Sequence, residues 1–173
     1  MSTLRENFTG GKAIFTVPAF PIKCGGAPQK IMYLSEETWR KNGVRDNIDM
    51  HFFTSTPTMF PVEKYGSALL PIAESKGISC NFAHIPVSVD GPNRTVTLRN
   101  LSTSEEFTTD FDLLHIVPPQ TPHQFIRESP LADASGSVEV DHFTLRHKRF
   151  SNVFALGDVA NLPTSKTAAA IFG

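Results

Sequence analysis

A chain of 173 residues with 40% hydrophobic positions has the length of one ordinary domain and enough apolar residues for a sizeable core. Its formal net charge of −1 lacks the basic excess with which nucleic-acid binders displace counterions, and 11 glycines with 13 prolines exclude collagen-like and low-complexity chains. Two cysteines, Cys24 and Cys80, make neither a disulfide framework nor a Cys-x-x-Cys zinc pattern, and apolar runs such as residues 113–117 fall far short of the roughly 20 residues that span a bilayer.

In chain order, residues 12–18 form a short apolar run between Gly11 and two prolines, which predicts a buried strand. A loop over 21–28 follows, and Pro28 suits the first position of a helix, where its missing N–H costs nothing. From Gln29, Ile31, Met32, Leu34 and Trp39 recur at helical spacing, Glu36/Arg40 and Glu37/Lys41 stand as i,i+4 pairs, and Gly43 ends the helix. Ile48, Met50 and Phe52 alternate as a second strand closed by Thr54, Ser55, Thr56 and Pro57. Val62, Tyr65, Leu69, Ile72 and Ala73 space as one face of a second helix, which Pro71 should kink or shorten.

Past Gly77, Ile78, Cys80 and Phe82 alternate as a third strand, with Cys80 as core filler. Val87/Val89 and Val96/Leu98 flank a turn at 90–93 as a hairpin, and Phe107–Phe111 adds a third antiparallel strand. Residues 112–119 read as one more buried strand, in which His115 is a satisfied core histidine. The order predicts an α/β fold, a Rossmann-like nicotinamide-type domain over 10–119 with an inserted antiparallel β-meander. Residues 120–173 read as a connection with a short strand at Val138 and Val140, then a buried strand over 152–158 and a helix beginning near Pro163. The basic cluster Arg146, His147, Lys148 and Arg149 reads as a solvated turn. A helix stopping at Gly173 predicts that the parent protein continues.

Chemistry in open α/β sheets gathers where strands hand over to helices. Cys24 sits in the first such handover, with Lys23 beside it and Lys30 in the first helical turn, a setting that favours thiolate over thiol. A loop cysteine serving as a small hydrophobe fits the same position. Gly25 and Gly26 would let a flat cofactor or substrate approach the backbone. The turn lacks Gly-x-Gly-x-x-Gly, and the second strand closes on threonine and serine where a ribose-binding acid would stand, so nicotinamide dinucleotide binding is not expected. Gly157 and Asp158 close the later strand: an acid there can hydrogen-bond a ligand hydroxyl or cap the following helix. The histidines show no metal-pair spacing, and no metal site is expected.

Taken together, residues 23–35 (KCGGAPQKIMYLS) and 153–170 (VFALGDVANLPTSKTAAA) resemble the first redox-cysteine loop and the second flavin-binding segment of the sulfide:quinone oxidoreductases, in particular the mitochondrial type. The resemblance implies an FAD-dependent enzyme of the two-dinucleotide-domain flavoproteins, with residues 120–173 carrying part of the FAD-binding domain. It implies oxidation of hydrogen sulfide to a persulfide or sulfane sulfur, transfer of electrons to ubiquinone, and a small thiol or sulfite as sulfur acceptor. By resemblance Cys24 is the catalytic thiol, Gly157 and Asp158 bind the cofactor, with Asp158 on the flavin's ribityl chain, and Lys166, Thr167 and Ala168 start the helix beside the isoalloxazine. A mitochondrial location, with inner-membrane association through parts absent from this chain, is implied in the same way. The family's ADP-binding glycine turn and second redox cysteine have no counterpart here, which predicts that the isolated chain is inactive. A type II NADH dehydrogenase and a non-catalytic α/β remnant or interaction module stand as alternatives.

Overall fold

The computed structural model describes residues 5–19 and 22–163. The chain divides into two compact units, one of Met1–Phe20 with Gly26–Pro118, the other of Pro21–Gly25 with Pro119–Gly173. That the loop Pro21–Gly25 groups with the distant C-terminal segment has no signal in its sequence.

The first unit is built on a four-stranded parallel sheet. Its strands are β1 (Gly11–Thr16), β2 (Ile48–Thr54), β3 (Ile78–Phe82) and β7 (Leu113–His115), in the order β3-β2-β1-β7. The register pairs Ala13 with Met50 on one side of β1 and with Leu113 on the other. Helices α1 (Ala27–Lys41) and α2 (Glu63–Ser75) join β1 to β2 and β2 to β3, the βαβαβ order expected of a Rossmann-like fold. Between β3 and β7 the chain makes the antiparallel meander β4 (His84–Asp90), β5 (Thr95–Asn100) and β6 (Glu106–Asp110).

Alternation along β1 sends neighbouring side chains to opposite faces. Ile14 packs with Phe53 and with Val96 and Leu98 of the meander, backed by Phe111 and Leu114. Phe15 turns the other way and lies 6.2 Å, centroid to centroid, from Trp39 of α1. Val96 and Leu98 are wholly buried, and each contributes on the order of 1.5–3 kcal/mol of burial.

Helix α1 begins with Pro28 in its first turn and ends with Arg40 and Lys41, which favour the negative end of its dipole. Gly43 takes φ +71°, its N–H donates to the Arg40 carbonyl, and the Val44 N–H donates to the Trp39 carbonyl, a Schellman termination. The buried stripe is Pro28, Gln29, Met32, Ser35, Glu36 and Trp39, whereas Leu34 is exposed. Glu36 is held by Lys76 at 2.6 Å and by Arg40 at 3.4 Å, and the Gln29 amide donates to the Met59 carbonyl. Glu37 and Lys41 pair at 2.8 Å on the outer face.

Helix α2 departs from its expected face. Val62, Tyr65 and Ile72 are exposed, and the helix packs through Gly66 and Ala73, seven residues apart on one line. The buried face is thus marked by small side chains, which a search for large apolar residues passes over. Pro71 lies inside the helix, which continues through it to Ser75.

At the start of the sheet Gly11 has φ +103°, and a Cβ on it would lie 2.2 Å from Asp112 Oδ2. That carboxylate accepts the Lys12 N–H at 2.9 Å while the Asp112 N–H donates to the Lys12 carbonyl, which seats β7 beside β1.

Candidate functional site

The second unit holds the sequence-predicted site residues. Its described core is Val138, Val140, Ala155 and Ala160, with Ile126, Leu131, Val159 and Leu162 packed against it. One short helix, α3 (Gln124–Arg127), precedes a segment tied by isolated bridges, Val138 to Ala160, Val140 to His147 and Arg146 to Phe154. Polar side chains do the work that strand ladders do elsewhere. Asn161 accepts the Val140 N–H at 3.0 Å and donates to Asp133 at 2.9 Å. Asp133 also gathers the Ser135 N–H and hydroxyl; burial opposes its charge, and these hydrogen bonds still hold its carboxyl below the usual range.

The basic cluster is more than a solvated turn. His147 is 2% exposed, donates through Nε2 to the Leu131 carbonyl at 3.1 Å, and accepts the Arg149 and Phe150 N–H groups on Nδ1. Those partners assign it the Nε2–H tautomer. Lys148 and Arg149 face Glu139 at 3.8 and 3.6 Å.

The expected buried strand over 152–158 does not form as a strand. Ala155 is buried while Phe154 and Leu156 are about 60% exposed on either side of it, and residues 157–159 make a 3-10 turn. Only one face of this extended segment has a partner among the described residues, so its pairing stops at single bridges. Gly157 has φ +70° with open space where a Cβ would stand. Asp158 is exposed, and its carboxylate makes no hydrogen bond among the described residues. Lys166, Thr167 and Ala168 lie outside the described residues.

Cys24 is half-buried and carries φ +52°, a left-handed conformation costly for any residue with a Cβ. The loop is held through its neighbour. The Lys23 N–H donates to the Gln120 side-chain oxygen at 2.7 Å, and the Lys23 ammonium donates to the Asp158 carbonyl at 2.9 Å. Lys23 thus joins the Cys24 loop to the Gly157 and Asp158 segment, 135 residues apart in sequence. Sequence reasoning treated Lys23 as a charge beside a thiol, and its role as a tether was not visible there; nor was that of Gln120.

The other candidates separate from this group. Cys80 lies in β3, half-buried, its thiol 3.7 Å from the Ile78 carbonyl and pushed up to about 11 by burial and by Glu74. His115 in β7 is not the satisfied core histidine expected. Its Nδ1 is buried without a hydrogen-bond partner, and its ring stacks on Phe15 at 5.8 Å. Among the described residues no group of three or more His, Cys, Asp or Glu is arranged to hold a metal, and no helix is long and apolar enough to cross a membrane.

No family model matches the chain. Individual proteins do. The chain is 47% identical over 163 residues to the mitochondrial sulfide:quinone oxidoreductase of Dictyostelium discoideum, covering 94% of this chain and 36% of that protein. It is 47% identical over 168 residues to the one from Schizosaccharomyces pombe, covering 96% and 37%. Among solved structures, the sulfide:quinone oxidoreductase of the hyperthermophilic bacterium Aquifex aeolicus shares the fold with a TM-score of 0.79 at 16% identity, over 94% of this chain and 38% of that one. These matches favour neither alternative reading. The resemblance carried by the Cys24 loop and the Gly157–Asp158 segment therefore holds along nearly the whole chain, which is similar to the mitochondrial sulfide:quinone oxidoreductases over a stretch amounting to 36–37% of their length.

Proposed function

We propose that the protein to which this chain belongs oxidises hydrogen sulfide and passes the electrons to ubiquinone, and that Cys24 is the thiol of this chain that takes part. One observation carries the reading: the Lys23 ammonium, 2.9 Å from the Asp158 carbonyl, draws the sulfur-bearing loop and the proposed flavin segment into one site. The balance is simple. Sulfide and a thiol together lose two electrons and two protons as a sulfur–sulfur bond forms, a quinone becomes a quinol, and a small thiol or sulfite carries the sulfane sulfur away.

The residues present fit FAD as the cofactor. Among the described residues, Gly157 has open space above its backbone and Asp158 has a carboxylate without a hydrogen bond, suited to the hydroxyls of a ribityl chain. When bound, FAD supplies two-electron acceptance between sulfide and quinone. The chain's own contribution is positional. The left-handed backbone at Cys24 and the two hydrogen bonds of Lys23 fix where the thiol stands, and Gly25 and Gly26 keep side chains away from its approach. Lys166, Thr167 and Ala168 are assigned to the flavin ring on the strength of the resemblance.

Cys80 is not assigned as the second redox sulfur: it packs in β3, where burial and Glu74 raise its pKa to about 11 and disfavour the thiolate that attacks. The partner cysteine, the ADP-binding turn and any inner-membrane contact belong to other parts of the protein, and a mitochondrial location follows from the relatives' names. Cys24→Ser in the full-length protein is expected to abolish sulfide-dependent quinone reduction while flavin content is unchanged. Undiminished turnover in that variant would discard the assignment.

A further inference from the structure

The turn that carries Cys24 is fixed from its N-terminal side. Ile22 is buried, and its Cγ2 lies 3.9 Å from where a Cβ on Gly25 would stand, so one apolar side chain underlies the turn. Lys23 is gripped twice, its N–H donating to the Gln120 side-chain oxygen at 2.7 Å and its ammonium to the Asp158 carbonyl at 2.9 Å, which sets the direction in which the chain enters Cys24. Gly25 and Gly26 follow with the widest backbone freedom of any residue and restrain little. Cys24 nevertheless keeps φ +52°, and a residue with a Cβ holds such an angle only where its surroundings impose it.

We propose that Gln120 is a positioning residue for the Cys24 thiol, acting through the Lys23 N–H. The inference rests on the reading of Cys24 as the thiol that reacts. Gln120 is exposed, so no core needs it, and among the described residues its one hydrogen bond is the one to this turn. A backbone N–H needs an acceptor, which of the two side-chain amide atoms only Oε1 supplies. Pro118 and Pro119 precede it and restrict the backbone there, so the acceptor is offered from a stiff stretch of chain. A sulfur that must meet its partner in line loses rate when its placement wanders. One hydrogen bond shifts the population of a conformation by a factor of roughly two to ten, which is small against folding and large enough to change how often the thiol is aimed.

The test uses the full-length protein with its flavin. Gln120→Met, of similar length and without a strong acceptor, is expected to lower kcat for sulfide-dependent quinone reduction by about two- to tenfold at unchanged KM for ubiquinone. The same variant is expected to speed iodoacetamide alkylation of Cys24, followed by peptide mass mapping, by a similar factor. Gln120→Glu keeps an oxygen acceptor and should return both rates to near the wild-type value, with one urea midpoint shared by all three proteins. The alkylation arm needs no sulfide, so it judges the turn even where Cys24→Ser discards the reaction. Alkylation unchanged or slowed in Gln120→Met, unchanged kcat there, no recovery in Gln120→Glu, or a kcat loss matched by a lower urea midpoint would each overturn the proposal.

Discussion

The two thiols show how position decides chemistry at the scale of single residues. Cys24 sits half-buried in a loop beside flexible glycines, while Cys80 sits in a parallel strand with burial first, and Glu74 second, opposing its ionisation. With a pKa of about 11, about one Cys80 in a thousand is thiolate at pH 8. Iodoacetamide at pH 8 is therefore expected to leave Cys80 unmodified in the native protein and to label it fully in urea, as read by peptide mass mapping. Rapid native labelling would mean that β3 does not hold its thiol as described. The sequence pattern had already marked Cys80 as a packing residue from its alternation with Ile78 and Phe82. What alternation could not reveal is the half-burial, because among the described residues β3 lies at the sheet edge with a neighbour on one side only.

Among the elements, α2 is the one whose sequence and packing disagree most. Tyr65 and Ile72 face outward, its fully buried positions are Gly66 and Ala73, and a proline stands at the ninth of its 13 positions. Pro71 removes one intrahelical hydrogen bond and crowds the carbonyl four residues back. Since position 71 is exposed, an alanine there regains the bond without disturbing a core. Pro71→Ala is expected to stabilise the protein by about 1–3 kcal/mol, seen as a higher urea midpoint at unchanged slope. A lower midpoint would show that the proline is needed for the path of the chain into β3. The strands were far easier to read: β1, β2 and the meander all announce themselves by alternation and by turn residues. Asp90 shows why the first meander turn is so legible, since its carboxylate binds both the backbone and side-chain nitrogens of Asn93, at 3.1 and 2.8 Å. Residues 152–158 misled for the opposite reason, because a run such as Val153–Leu156 spells a buried strand whether or not both faces find partners.

Over the whole molecule, charge gives a consistent account of acid sensitivity. Asp90, Asp110, Asp133 and Asp141 all have carboxyls held below the ordinary aspartate value of 3.8, by Asn93, by Lys12, by Ser135 and Asn161 against burial, and by Thr144 respectively. A depressed carboxylate adds stability that is present above the unfolded pKa and lost as pH falls through the folded one. His115 acts earlier. Its folded pKa lies below 6.5, so the unfolded chain binds the proton more readily, and stability declines as pH falls from that value. Urea midpoints are expected to be level above pH 6.5, to fall in a first step that His115→Phe removes, and to fall again below pH 3.8. A first step that persists in His115→Phe would assign it to another histidine. The architecture behind these numbers, a parallel sheet with an inserted meander, was legible from the order of periodic segments. The gathering of residues 21–25 with the C-terminal segment was not, because it rests on Lys23 reaching a main-chain carbonyl far along the chain, and no spacing rule encodes such a contact.

That reach has a further implication for anyone altering the site. The Lys23 ammonium rests on the peptide oxygen of residue 158 and leaves its side chain untouched. An exchange of the acid for an amide or a methyl group thus keeps the anchor point of the sulfur loop where it was. Whatever such an exchange takes away is owed to the lost carboxylate itself, and a displaced thiol need not be invoked.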